Sequence, residues 1–83
     1  MLTKMIIPVR LFSEIPLEIR ESYSDAVTVL QAVAIITPDD GTPHEYGIVK
    51  YCGITTYDNW FYDSGVWRKQ EFTTWEALLE SML

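Results

Sequence analysis

Hydrophobic and polar positions along this chain change period several times, and each period predicts an element. Thr3 to Val9 (TKMIIPV) is a short apolar run that reads as a strand. Pro8 has no backbone donor, so it confines that strand to an edge or ends it. Helical spacing follows. Glu14, Glu18, Glu21 and Asp25 recur at i, i+4, i+7 and i+11, and Ile15, Ile19, Tyr23 and Ala26 form an apolar line beside them. Ser13 or a neighbour can cap this segment, Pro16 is tolerated in a first turn, and the early acids suit the helix dipole. The spacing predicts a helix over residues 14–25.

Residues 26–37 (AVTVLQAVAIIT) allow two readings. Ile19, Tyr23, Ala26, Leu30 and Val33 would continue the helix. The density of Val, Ile and Thr favours a strand instead. Pro38-Asp39-Asp40-Gly41 is a strong turn signal, and His44 to Thr56 (HEYGIVKYCGITT) reads as the next strand. We favour a hairpin around residues 38–43, with helix continuation as the alternative.

The stretch from Tyr57 to Trp75 holds seven of the eleven aromatic residues, including all three tryptophans. Aromatics dominate core and interface energetics, so packing of this protein on itself or on a partner should centre here. Residues 59–62 and 66–72 flank Asp63-Ser64-Gly65, where Gly65 supplies the positive φ of a three-residue hairpin loop. In that register Trp60, Tyr62, Val66 and Phe72 share one sheet face, and Phe61 and Trp67 share the other. A two-residue loop would shift the pairing. Thr73-Thr74-Trp75-Glu76 has the form of a capping box with Thr73 at the cap. Trp75, Leu78, Leu79 and Met82 then line one face of a short C-terminal helix. It is too short to stand alone in water and must dock.

The order β-α-β-β-β-β-α predicts an α+β fold: a four- to five-stranded antiparallel sheet with one helix in the N-terminal half and a short C-terminal helix, packed on one face. At 83 residues the chain is one domain, residues 1–83. A chain this short buries only roughly 60–65% of its unfolded surface, so its stability margin is thin. Its 48% hydrophobic content suffices for a core and excludes a disordered tail.

Charge narrows the function classes. Twelve acids against six cations give a net charge of −6. That disfavours direct nucleic-acid binding and adsorption to anionic membranes, and it fits a neutral or basic partner, which could itself be a nucleic-acid-binding protein. The single cysteine, Cys52, cannot form an internal disulfide, and no stretch reads as a signal peptide or a bilayer span. The expected location is the cytoplasm.

Catalytic signals are weak. His44 is the only histidine, follows Pro43 in a turn, and has no nucleophile elbow elsewhere in the chain to serve. Cys52 lies mid-strand and reads as a structural thiol, with only Lys50 near in sequence to lower its pKa. One His and one Cys do not make a zinc site, Asp39-Asp40 lacks calcium-loop spacing, and the scattered glycines form no phosphate loop. No metal, no cofactor and no enzymatic activity are expected. The candidate partner-binding residues are Glu14, Glu18, Glu21 and Asp25, whose carboxylates can imitate a row of phosphates, and Phe61 and Trp67 as an aromatic pair on an open sheet face. The plainer readings are a solvated helix face and a packed core.

Ile7-Pro8-Val9 with Ser13-Glu14-Ile15-Pro16, then Trp60-Phe61-Tyr62, then Phe72-Thr73-Thr74-Trp75, resembles a small phage- and prophage-encoded domain family of unknown function. Thr74 stands where that family's motif has a histidine, the prolines after the tryptophan are absent, and residues 17–25 would be an insertion. The resemblance implies a phage or mobile-element protein and no particular activity. In that setting the expected role is a non-enzymatic inhibitor that blocks a basic surface of a larger host nucleic-acid-binding machine in the host cytoplasm, such as an anti-CRISPR or other anti-defence protein. The alternative is an assembly module that forms a homodimer or larger homo-oligomer through its sheet.

Overall fold

The structure, a computed structural model, describes residues 4–23, 29–36, 41–51 and 53–83. It contains β1 (Met5–Pro8), a 3₁₀ turn (Phe12–Glu14), α1 (Leu17–Arg20), β2 (Val29–Ile36), β3 (Glu45–Tyr51), β4 (Thr55–Asp63), β5 (Val66–Phe72) and α2 (Trp75–Met82). The five strands form one sheet in chain order, every neighbouring pair antiparallel. The fold class is α+β, as the hydrophobic patterning predicts. The ambiguous segment resolves as strand over Val29–Ile36, with a bulge between Val29 and Gln31. The hairpin expected around residues 38–43 joins β2 to β3, although residues 37–40 lie outside the described ones. The single strand expected over 44–56 is two strands. β3 ends at Tyr51, Gly53 takes φ +84° in the connection, and β4 starts at Thr55.

The helix expected over 14–25 is much shorter, and its start has a local cause. The residue before a proline is pushed out of the helical region by the pyrrolidine ring. Ile15 accordingly sits at φ −79°, ψ 138°, and Pro16 itself at ψ 145°. Glu14 therefore belongs to the 3₁₀ turn and Glu18 to α1, with extended backbone between them. After Arg20 the chain tightens through i→i+3 bonds from Ser22 to Ile19 and from Tyr23 to Arg20. Asp25 lies outside the described residues.

The sequence reading puts both helices on one side of the sheet, whereas the structure uses both sides. Cross-strand partners share a face and successive residues alternate. Ala32, Ala34, Tyr46, Ile48 and Trp60 thus face one way and pack beneath Ile15, Ile19 and Tyr23. Val33 and Ile35 face the other way and pack beneath Leu78 and Met82 of α2. The reason is the unbroken apolar run Ala32 to Ile36, which leaves neither face of the central strands fit for water. Gly47 on β3 lets α2 come close. A Cβ built there would stand 2.9 Å from both Leu78 Cδ2 and Met82 Sδ.

The cap of α2 falls one residue later than the sequence motif predicts. Thr74, at φ −136° and ψ 155°, accepts a 3.1 Å hydrogen bond from the Ala77 N–H, so the helix has a threonine cap without the reciprocal glutamate. The predicted docking face holds: Leu78 and Met82 are buried, and Trp75 and Leu79 pack against the same cluster. At the other end, the Lys4 ammonium donates to the Met82 carbonyl at 3.3 Å, placing a cation at the negative end of the helix dipole.

Candidate partner-binding surface

The β4–β5 turn decides which aromatics can act together. Asp63 pairs with Val66, leaving a two-residue loop of Ser64 at φ +52° and Gly65 at φ +86°. Positive φ at both central residues is the type I′ hairpin, whose twist matches the strands it joins. This register puts Trp67 opposite Tyr62 and Phe61 opposite Arg68. Phe61 and Trp67 therefore lie on opposite faces, and the exposed pair expected from a three-residue loop does not form. Both are half-buried.

Trp67 joins a different group. Its ring centroid is 5.6 Å from Tyr46 and 5.3 Å from Tyr62, and Tyr62 is 6.3 Å from the His44 ring. These rings form a row across β3, β4 and β5 on the face that carries the 3₁₀ turn and α1. Tyr62 is exposed and ends the row in solvent. The three-residue loop expected from the sequence sets Tyr62 on the face opposite Trp67 and leaves it out of the candidate binding residues, whereas the observed register pairs the two. The Ser64-Gly65 dipeptide is the signal that could have found it, because a two-residue loop places Tyr62 across from Trp67.

The acidic residues reach the same face. Glu14, Glu18 and Glu21 are all exposed, and no ion pair holds them among the described residues. The neighbouring cation is turned away, since Arg20 Nε donates to the Ile15 carbonyl at 2.7 Å. Glu14 lies near the Tyr46 phenol. Burial pushes that phenol above its ordinary value, and the negative charge of Glu14 pushes it further. Glu14 and Tyr46 also line one groove of about 280 Å³, floored by Ile7, Ala34 and Ile36 and bounded by Pro43.

A buried polar cluster holds α1 and the chain after it against the sheet. The Tyr23 hydroxyl donates to Asp58 Oδ2 at 2.6 Å and accepts from Trp60 Nε1 at 2.8 Å. Lys50 Nζ lies 3.9 Å from the same carboxylate oxygen and 5.5 Å from the Tyr23 ring centroid. Asp58 is fully buried, and its other oxygen has no partner among the described residues. The carboxylate and the phenol are thus buried and hydrogen-bonded to each other, with the half-buried Lys50 ammonium beside them.

Among the described residues no three His, Cys, Asp or Glu side chains converge as a metal site, and no helix is long and apolar enough to cross a membrane. Cys52 lies outside the described residues, and His44 is exposed beside Tyr62. Comparison with known proteins finds no matching family model, no matching curated protein and no matching solved structure.

Proposed function

We propose that this chain is a small acidic, non-enzymatic binding protein that covers a basic surface of a larger protein. One observation carries the reading. The exposed carboxylate of Glu14 and the aromatic row Tyr46–Trp67–Tyr62 meet on one face of the sheet, with Glu18 and Glu21 exposed on the helical segment packed there. Carboxylates steer a basic partner and raise its rate of encounter, while a rigid aromatic supplies contact area at little entropic cost. In the phage or mobile-element setting that the resemblance implies, the partner is a host nucleic-acid-binding machine, with an anti-defence protein as the corresponding role. Blocking is then steric and electrostatic. The acids occupy the place of phosphates, and the aromatics slow release.

The test is capture from a host lysate on the immobilised chain, in parallel with a Glu18→Lys/Glu21→Lys variant. The native chain should retain a basic protein that the variant loses and that salt elutes. In the presence of the chain, that protein should release a labelled oligonucleotide. Retention that is indifferent to both charge reversals, or a captured protein that keeps its nucleic acid, would sink the reading.

A further inference from the structure

The two edges of the sheet are built differently. The outer strand β5 presents Arg68, Lys69, Gln70 and Glu71, the charged kind of edge that resists pairing with another chain. The outer strand β1 carries no charge at all. Its sequence is Met5-Ile6-Ile7-Pro8, with Met5, Ile6 and Ile7 at 48%, 40% and 37% exposure. Register fixes which backbone groups face outward. The Val9 N–H donates to the Ala32 carbonyl at 2.8 Å, and β1 continues antiparallel to β2 with Ile7 opposite Ala34 and Met5 opposite Ile36. Alternation then points the backbone of Ile6 and Pro8 away from β2. Pro8 has no N–H, so the strand offers one outward donor, at Ile6, and two outward acceptors, the carbonyls of Ile6 and Pro8.

Beside this edge lies the groove floored by Ile7, Ala34 and Ile36, with Glu14 at its rim. A strand added to β1 would place every second side chain on the groove's side of the sheet. We infer that β1 accepts an extended segment of the basic partner, whose apolar side chain enters the groove while a basic side chain two residues along meets Glu14. This rests on the binding role proposed above and names the partner's chemistry: an apolar–x–basic strand, held by backbone hydrogen bonds and selected by the groove. A second copy of this chain fits less well. Each copy carries a net charge of −6, and Lys4, which immediately precedes the strand, is already engaged by Glu45 and the Met82 carbonyl.

Amide hydrogen exchange on the full ¹⁵N-labelled chain tests this, using two synthetic peptides, Thr-Val-Thr-Lys-Thr-Val and its twin with Glu in place of Lys. The lysine peptide should slow exchange at Ile6 about tenfold at saturation and bind about tenfold tighter than its twin. Glu14→Lys, an exposed substitution that leaves the backbone ladder intact, should reverse the preference. An Ile6 amide indifferent to the lysine peptide, or equal binding of both peptides, overturns the inference. So does a peptide-free dimer in sedimentation with Ile6 already protected, which would give the edge to a second copy. If Ile6 does not respond while the Glu18/Glu21 reversals still abolish capture, only the edge-strand inference falls. If Ile6 responds and those reversals change nothing, only the steering role falls.

Discussion

The Tyr23 hydroxyl reaches 35 residues along the chain to donate to Asp58 Oδ2 at 2.6 Å. This bond joins the end of the α1 segment to the middle of β4. It holds the helical cover, with its exposed Glu18 and Glu21, against the face that carries the aromatic row.

Removing the Tyr23 hydroxyl should therefore be expensive. Tyr23→Phe keeps the ring against Trp60 but leaves the buried Asp58 carboxylate without its phenol donor and the Trp60 N–H without its acceptor. A buried group stripped of its partner costs about 1–3 kcal/mol, more when charged. Urea unfolding should show a loss of at least about 2 kcal/mol. A double variant, Tyr23→Phe with Asp58→Leu, should recover part of it, because no fully buried carboxylate is then left without its donor, while Lys50, which gives up its 3.9 Å contact with Asp58, is half-buried and can reach solvent.

The same phenol sets the alkaline limit of stability. Burial first, then the bond to Asp58, raise the Tyr23 pKa far above its ordinary value, and Tyr46 is raised in the same direction. A group whose pKa is higher when folded contributes its full stability below its unfolded value, and that contribution is lost as pH rises above it. Stability should hold to about pH 9 and then fall above about pH 10, where the unfolded chain releases phenol protons that the native one keeps. Tyr23→Phe should make that fall shallower by one proton, about 1.4 kcal/mol per pH unit.

Gly47 should tolerate no side chain. Its missing Cβ is the space filled by Leu78 and Met82. Gly47→Ala should cost about 1–3 kcal/mol by overpacking and should act by loosening α2. The matching readout is faster amide exchange across Leu78 to Met82, with less change in β1 and in α1 on the opposite face.

Glu45 should respond to pH in the opposite sense to a surface carboxylate. Burial raises its pKa more than Lys4, 3.9 Å away, lowers it, and its Oε2 is buried with no partner among the described residues. The folded chain then holds the proton more tightly than the unfolded one, so stability falls as pH rises from the ordinary glutamate value, about 4.3, through the raised one. Glu45→Gln should stabilise the protein slightly at pH 7. The gain should vanish below about pH 4, where both states are protonated.

The β4–β5 turn can be improved. Ser64 occupies a left-handed conformation at φ +52° that asparagine adopts more readily. Ser64→Asn should raise stability by about 0.5 kcal/mol, and Gly65→Ala should lower it by about 1 kcal/mol, both read as shifts in the urea midpoint.

Local patterns alone determined much of this protein. The strand character of Met5–Pro8 and Val66–Phe72, the breaks at Gly41 and Gly65, and the buried stripe of Leu78 and Met82 follow from periodicity and turn chemistry that act over a few residues. The early break of the acidic helix is also local, because Pro16 denies Ile15 a helical backbone whatever lies elsewhere. Tertiary structure decided what those elements do together. A one-residue difference in a hairpin loop moves every side chain of a strand to the other face. The Asp63–Val66 closure, rather than the composition of the strands, therefore separated Phe61 from Trp67 and set Trp67 beside Tyr62. The choice of two faces for the two helices, and the bond from Tyr23 to Asp58, likewise depend on contacts between residues distant in sequence, and no local period encodes those.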